Sequence, residues 1–198
     1  SDVYKRQVSN QWHIYTGKGN DTINLDVGVS ETRTISQGHH VFGNEGRDTF
    51  RFVGLDDVRG TMVGRLDDFN PHEDRIMIGD QVLNLAAPQR ITGYDVYFTS
   101  IPNYSSPEMR DEQIWLVIET ANGRVLYAIE GARRLPGSED EESHFLHWNA
   151  VVPDVLPRVP FVYKDDYYRT EDLVDYVAHG TAVRGTNGDD TYVANGTH

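Results

Sequence analysis

Cysteine is absent from the 198 residues, which removes disulfides, thiolate metal sites and thiol nucleophiles together. Basic residues are scarce: 18 Lys and Arg stand against 31 Asp and Glu, for a net charge of −13. No basic stripe exists to neutralise a phosphate backbone, so nucleic acid is excluded as a partner. The imbalance favours divalent cations, and a fold that repels itself until they bind. No run approaches the ~18 apolar residues of a membrane span. Zinc-protease HExxH, GxSxG and phosphate-loop motifs are missing as well. At 38% hydrophobic the chain can still bury a core, and its length allows one medium or two small domains.

What the sequence does contain is a glycine-aspartate hexad written three times: Thr16-Gly-Lys-Gly-Asn-Asp21, Gly43-Asn-Glu-Gly-Arg-Asp48 and Gly185-Thr-Asn-Gly-Asp-Asp190. Each is followed by Thr and then an apolar residue, Ile23, Phe50 or Tyr192. This is the pattern of a calcium-binding turn followed by a short strand. Calcium takes six to eight oxygens from carboxylates and main-chain carbonyls, and glycine reaches the positive φ angles that turn carbonyls toward one ion. The expected ligands are therefore Thr16, Gly17, Lys18, Gly19 and Asp21; Gly43, Asn44, Glu45, Gly46 and Asp48; and Gly185, Asn187, Gly188 and Asp190. One loop cannot fill a calcium shell, so the loops must stack. Asp21 and Asp48 lie 27 residues apart, three nine-residue periods. The intervening blocks Leu25–Arg33 and Thr34–Phe42 then read as degraded turns, with Ser30 and His39 where aspartate belongs.

These hexads resemble the RTX (hemolysin-type calcium-binding) family of secreted bacterial proteins, over about residues 15–53 and 184–194. Arg65–Ile78 is similar to the segment that often follows the last coil in that family, with His72 where the pattern has glycine. The resemblance implies an all-β fold: a short parallel β-roll binding Ca2+, capped by an antiparallel β region, with a second roll beginning at the C-terminus. It also implies an extracellular location and export in an unfolded state, with calcium as the staple that disulfides would otherwise supply.

The expected organisation follows. Residues 1–7 resemble the translated end of a sequencing-library adapter. Residues 8–80 form the roll, Thr49–Val53 its last strand, and the strands within Val63–Ile78 cover its open end. Residues 81–152 form the antiparallel region, with strands at Ile91–Ser100 and His144–Val152 and a hairpin turning at Asn122-Gly123. Residues 153–183 read as a proline-rich linker with a short helix over Glu171–His179. Residues 184–198 open a new coil, and the chain reads as a fragment of a larger protein.

Other constellations have plainer readings. His144 and His147, on a strand, fall on opposite faces, and His39-His40 fills a turn. Glu139–Glu142 reads as a solvated loop, while Asp67, Asp68 and Asp74 are candidates to complete an ion shell at the coil's end. Tyr94, Tyr97, Tyr104, Tyr163, Tyr167 and Tyr168 would suit stacking on sugars but fit half-buried sheet positions better. The function expected is non-catalytic: a calcium-dependent structural or adhesive module of a secreted repeat protein, with contact to a cell surface or polysaccharide left open. The alternative is a spacer of a secreted hydrolase, epimerase or lyase whose catalytic domain lies elsewhere.

Overall fold

The computed structural model describes residues 4–8, 13–28, 35–88, 90–91, 93–102, 112–129, 155–161 and 182–195. These residues are almost entirely strand and turn, as expected for an all-β chain. The elements are β1 (Tyr4–Val8), β2 (His13–Tyr15), β3 (Thr22–Asp26), β4 (Ile35–Phe42), β5 (Thr49–Val53), β6 (Gly60–Leu66), β7 (Arg75–Ile78), β8 (Gln81–Val82), β9 (Arg90–Ile91), β10 (Tyr94–Pro102), β11 (Glu112–Glu119), β12 (Gly123–Ala128), β13 (Ala182–Arg184) and β14 (Asp190–Asn195). A 3-10 turn, Leu55–Asp57, follows β5. No helix among the described residues is long and apolar enough to cross a membrane.

Two sheets face each other. One has the order β1-β14-β3-β5-β7-β8, the other β13-β2-β4-β6-β12-β11-β10-β9. The strands flanking each hexad alternate between the sheets and pair in parallel, β14 with β3 and β3 with β5, and β13 with β2 and β2 with β4. β6 and β7 extend the same arrangement by pairing with β4 and β5. The second sheet then turns antiparallel through β12, β11, β10 and β9.

The period-two alternation decides which side chains face inward. In the first sheet Tyr192, Ile23, Phe50 and Ile76 share one row, and Ala194, Leu25, Phe52 and Ile78 the next; all are at most 1% exposed. These rows meet Ile14, Met62, Leu116, Ile118, Val125 and Tyr127 from the second sheet in one core. β11 and β12 are buried on both faces, because Trp115, Val117, Leu126 and Ala128 join a second cluster with Val63, Tyr97 and Leu156. That accounts for their near-continuous apolar sequence.

Several expectations are corrected here. The hexads ending at Asp21 and Asp48 are adjacent layers rather than three nine-residue turns apart, since β2 pairs directly with β4 and β3 with β5. Between them Thr34–Phe42 supplies the eight-residue β4, too long for the two- or three-residue strand of a nine-residue turn, and Leu25–Arg33 begins with the end of β3. The strands expected within Val63–Ile78 to cover the stack are β6 and β7, which pair with β4 and with Thr49–Val53. Within the C-terminal segment expected to begin a second roll, the described residues 184–195 join the first stack: β13 and β14 pair with β2 and β3, because Tyr192 and Ala194 continue the inward row of Ile23 and Leu25. Part of the expected linker is docked instead, with Val159 N–H donating to Phe98 O at 2.9 Å and Leu156 buried. Arg158 pairs with Asp95 and lies 4.2 Å over the Tyr97 ring. Tyr4–Val8 pairs with β14 as an outer strand.

The hairpin forms as expected, but Ala121 and Asn122 are its central residues, closed by Thr120 N–H to Gly123 O at 2.9 Å. Gly123 is needed for packing: a Cβ there would stand 2.3 Å from Gly60 O. The helix over Glu171–His179, the strand over His144–Val152, the 139–142 acidic run, and Tyr104, Tyr163, Tyr167 and Tyr168 lie outside the described residues.

Candidate metal centre

Four turns lie side by side along one edge where the sheets meet, in the order 185–190, 16–21, 43–48 and 67–74, because the strands on either side of them pair in that order. Their glycines let the backbones touch. Gly17, Gly19 and Gly46 have φ of 84°, 114° and 127°, and Asn44 takes the place of Gly17 at φ 60°, a left-handed conformation that asparagine tolerates better than most residues. A Cβ on Gly46 would stand 1.9 Å from Gly19 O, and one on Gly17 would stand 2.3 Å from Thr186 O. Main-chain carbonyls of each hexad therefore lie directly against the glycines of the next.

Two hydrogen-bond ladders run across the turns in opposite directions. The last residue of each turn donates its N–H to the carboxylate of the next turn: Asp190 to Asp21 (2.6 Å), Asp21 to Asp48 (3.0 Å) and Asp48 to Asp74 (2.9 Å). One residue earlier the sense reverses, with Arg47 N–H donating to Asn20 Oδ1 and Asn20 N–H to Asp189 Oδ1, each at 2.8 Å. Asn20 and Asp189 were not singled out from the sequence; their shared hexad position, filled by residues with an acceptor oxygen, was the available signal.

The first ladder uses only one oxygen of each central aspartate. Asp21 and Asp48 are both 1% exposed, and the Oδ2 atom of each has no hydrogen-bond partner. The Thr16 hydroxyl lies 3.1 and 2.7 Å from the carbonyls of Phe42 and Gly43 and also beside the Asp21 carboxylate, whose charged form it favours. Asp48 Oδ2 instead lies against Gly43, where an added Cβ would approach to 2.3 Å. An unpaired buried carboxylate is costly, and the protonation equilibria reflect it. Burial pushes Asp48 up to about 9 against the pull of the Asp21 N–H, with Asp74, Asp21 and Asp68 adding repulsion. Asp21 rises to about 7, again by burial, opposed by the Asp190 N–H and the Thr16 hydroxyl.

The fourth turn is closed differently. Asp68 accepts Gly43 N–H at 2.7 Å and Asn44 N–H at 2.6 Å on its two oxygens. Asp74 accepts Asp48 N–H on one oxygen and Asn70 N–H on the other, both at 2.9 Å. Burial still raises Asp74 to about 7. Asp67 lies 2.9 Å from Arg65 Nε and 3.3 Å from His40 Nδ1, all three buried. Asp67, Asp68 and Asp74 thus close the end of the stack with protein donors. The buried Arg65 was missed, although Arg65 and Asp67, two apart on an extended chain, share one face. His39 is fully buried in β4, its N–H donating to Tyr127 Oη at 3.3 Å.

The expected ligands are brought to one edge, in unequal states. Lys18 and Glu45 pair with each other at 3.5 Å, both side chains 64% exposed, and the Glu45 carbonyl accepts Gly19 N–H at 3.0 Å. Asn187 and Gly188 are exposed, and Gly185 sits against Thr16 O and the Tyr192 hydroxyl. Among the described residues no group of three or more His, Asp or Glu side chains is placed to hold a metal. A site built from one carboxylate per loop and main-chain carbonyls does not require such a group. Within these turns the two buried oxygens without a hydrogen-bond partner, Asp21 Oδ2 and Asp48 Oδ2, are of the chemical type calcium takes. No protein-family model, curated protein or solved structure matches the chain.

Proposed function

We propose that this protein is a calcium-dependent structural module of the RTX type, a parallel β-roll whose glycine edge binds Ca2+ between neighbouring hexads, and that it performs no catalysis. The observation that carries this reading is the pair of buried, unpartnered Oδ2 atoms on Asp21 and Asp48 within stacked glycine turns. Calcium would be held by those carboxylates with main-chain carbonyls of hexads 16–21 and 43–48, and with those of 185–190. Bound there, it supplies the positive charge that two buried aspartates and a net charge of −13 otherwise lack.

The setting proposed is extracellular. Modules of that kind bind calcium with a Kd of about 0.1–1 mM. At millimolar calcium, binding then adds on the order of 1 kcal/mol per site to the folded state. At the much lower concentration inside a cell it adds almost nothing. Circular dichroism with calcium raised from chelator to about 10 mM, spanning that affinity range, tests the reading. Strand signal and melting temperature are expected to rise, and Asp21→Ala and Asp48→Ala to blunt both. Variants that titrate like the parent would refute this ligand assignment.

A further inference from the structure

The three hexads differ at their second position, where Gly17, Asn44 and Thr186 stand. Gly17 and Asn44 are left-handed, whereas neither Thr186 nor Gly188 has a positive φ; a β-branched residue strongly resists that conformation. The C-terminal turn consequently folds on itself. Thr186 N–H donates to Asp190 Oδ2 at 2.7 Å, and its hydroxyl lies 3.0 Å from both Asp190 oxygens. Gly188 N–H closes the loop onto Thr186 Oγ1 at 3.1 Å. Both Asp190 oxygens are occupied, while Asp21 and Asp48 each keep one without a donor.

We infer that Thr186 sets the calcium threshold of the C-terminal hexad, holding Asp190 in an ion-free loop closure that calcium must break. This rests on the calcium reading proposed above and adds that the sites are unequal. The space between hexads 16–21 and 43–48 fills first, at low calcium. The space between 185–190 and 16–21 fills at higher calcium, once Asp190 exchanges the Thr186 donors for the ion. The sequence-distant end of the chain would thereby be fixed to the stack in a graded manner, after the central layers.

The structure supplies a local reporter. The Tyr192 hydroxyl lies under the C-terminal hexad, where a Cβ on Gly185 would approach it to 2.1 Å, whereas the equivalent residues of the other hexads are Ile23 and Phe50. Terbium, a calcium substitute whose emission is sensitised by nearby tyrosine, can be titrated into the full chain and into Tyr192→Phe. The difference between the two curves isolates the C-terminal hexad. The emission lost in Tyr192→Phe is expected to belong to the weaker of two phases. Thr186→Gly should move that phase to at least about tenfold lower terbium, the scale of one charge-assisted hydrogen bond, and leave the tighter phase in place. Thr186→Asn, which copies Asn44, should move it in the same direction and guards against a folding defect in the glycine variant. Tyr192-dependent emission that saturates with the tight phase, or that ignores both Thr186 variants, overturns the inference while leaving calcium binding intact. Absence of any saturable terbium or calcium binding overturns both.

Discussion

The glycine edge and the antiparallel β10–β12 sheet bury their chains by opposite means. In the sheet, Trp115, Val117, Leu126 and Ala128 pack on one face and Leu116, Ile118, Val125 and Tyr127 on the other, and strand pairing consumes the main-chain polar groups. Nothing there calls for an ion. At the edge, backbones approach too closely for side chains, and two buried carboxylates retain an oxygen that no donor reaches. The turn 67–74 lies between these extremes, since Asp68 and Asp74 are fully occupied by main-chain N–H groups. On the calcium reading proposed above, stability in the sheet should be independent of the ion and stability at the edge should depend on it.

The largest effect that would sharpen this contrast is in the sheet. Leu126→Ala should cost about 2–5 kcal/mol, and the loss measured by urea unfolding should be the same in chelator and in calcium. A loss that depends on calcium would break the division between the two regions. Gly46→Ala, at φ 127° and against Gly19 O, should cost about 1–3 kcal/mol and, on the calcium reading proposed above, also shift the calcium midpoint upward.

Asp48→Asn separates charge from shape. It keeps an oxygen for the Asp21 N–H and removes the ionisable group. In chelator at pH 8 its melting temperature should match or exceed the parent's, whereas in millimolar calcium it should fall below, by roughly the 1 kcal/mol per site that binding supplies. A pH titration probes the same carboxylates. The folded-state values of Asp48, Asp21 and Asp74 lie above the unfolded value near 3.8. Their contribution is thus fully present below about pH 4 and is lost as pH rises through 7 and then 9. Unfolding in chelator should show stability declining over that window, and saturating calcium should flatten the decline. Arg158→Ala, which removes an exposed pair with Asp95, should cost less than about 1 kcal/mol and leave the calcium midpoint unchanged.

Much of the edge was legible in the residues. Gly-x-Asp followed by Thr and an apolar residue, with a further glycine two or three positions upstream, identified three turns and the inward positions Ile23, Phe50 and Tyr192, because backbone geometry at each is local. What the spacing could not convey was the layer period. A distance of 27 residues is compatible with three short turns or one long one, and the choice depends on β4 pairing with β2 and β6, contacts far apart in the chain. The return of β13 and β14 to the first hexad, with Asp21 and Asp190 169 positions apart, is non-local for the same reason. The carboxylate caps Asp68 and Asp74 were noticed as acidic residues at the coil's end, but only the structure distinguishes an acid that caps N–H groups from one left open to an ion.

Isothermal titration of calcium into chelator-treated protein, beside an Asp21→Asn/Asp48→Asn double variant, addresses the glycine edge most directly. The parent should bind saturably with a Kd of about 0.1–1 mM, and the double variant should lose the tighter component while still folding in chelator. A parent that takes up no calcium, or a double variant that binds it as the parent does, would contradict the assignment of these buried oxygens to the ion.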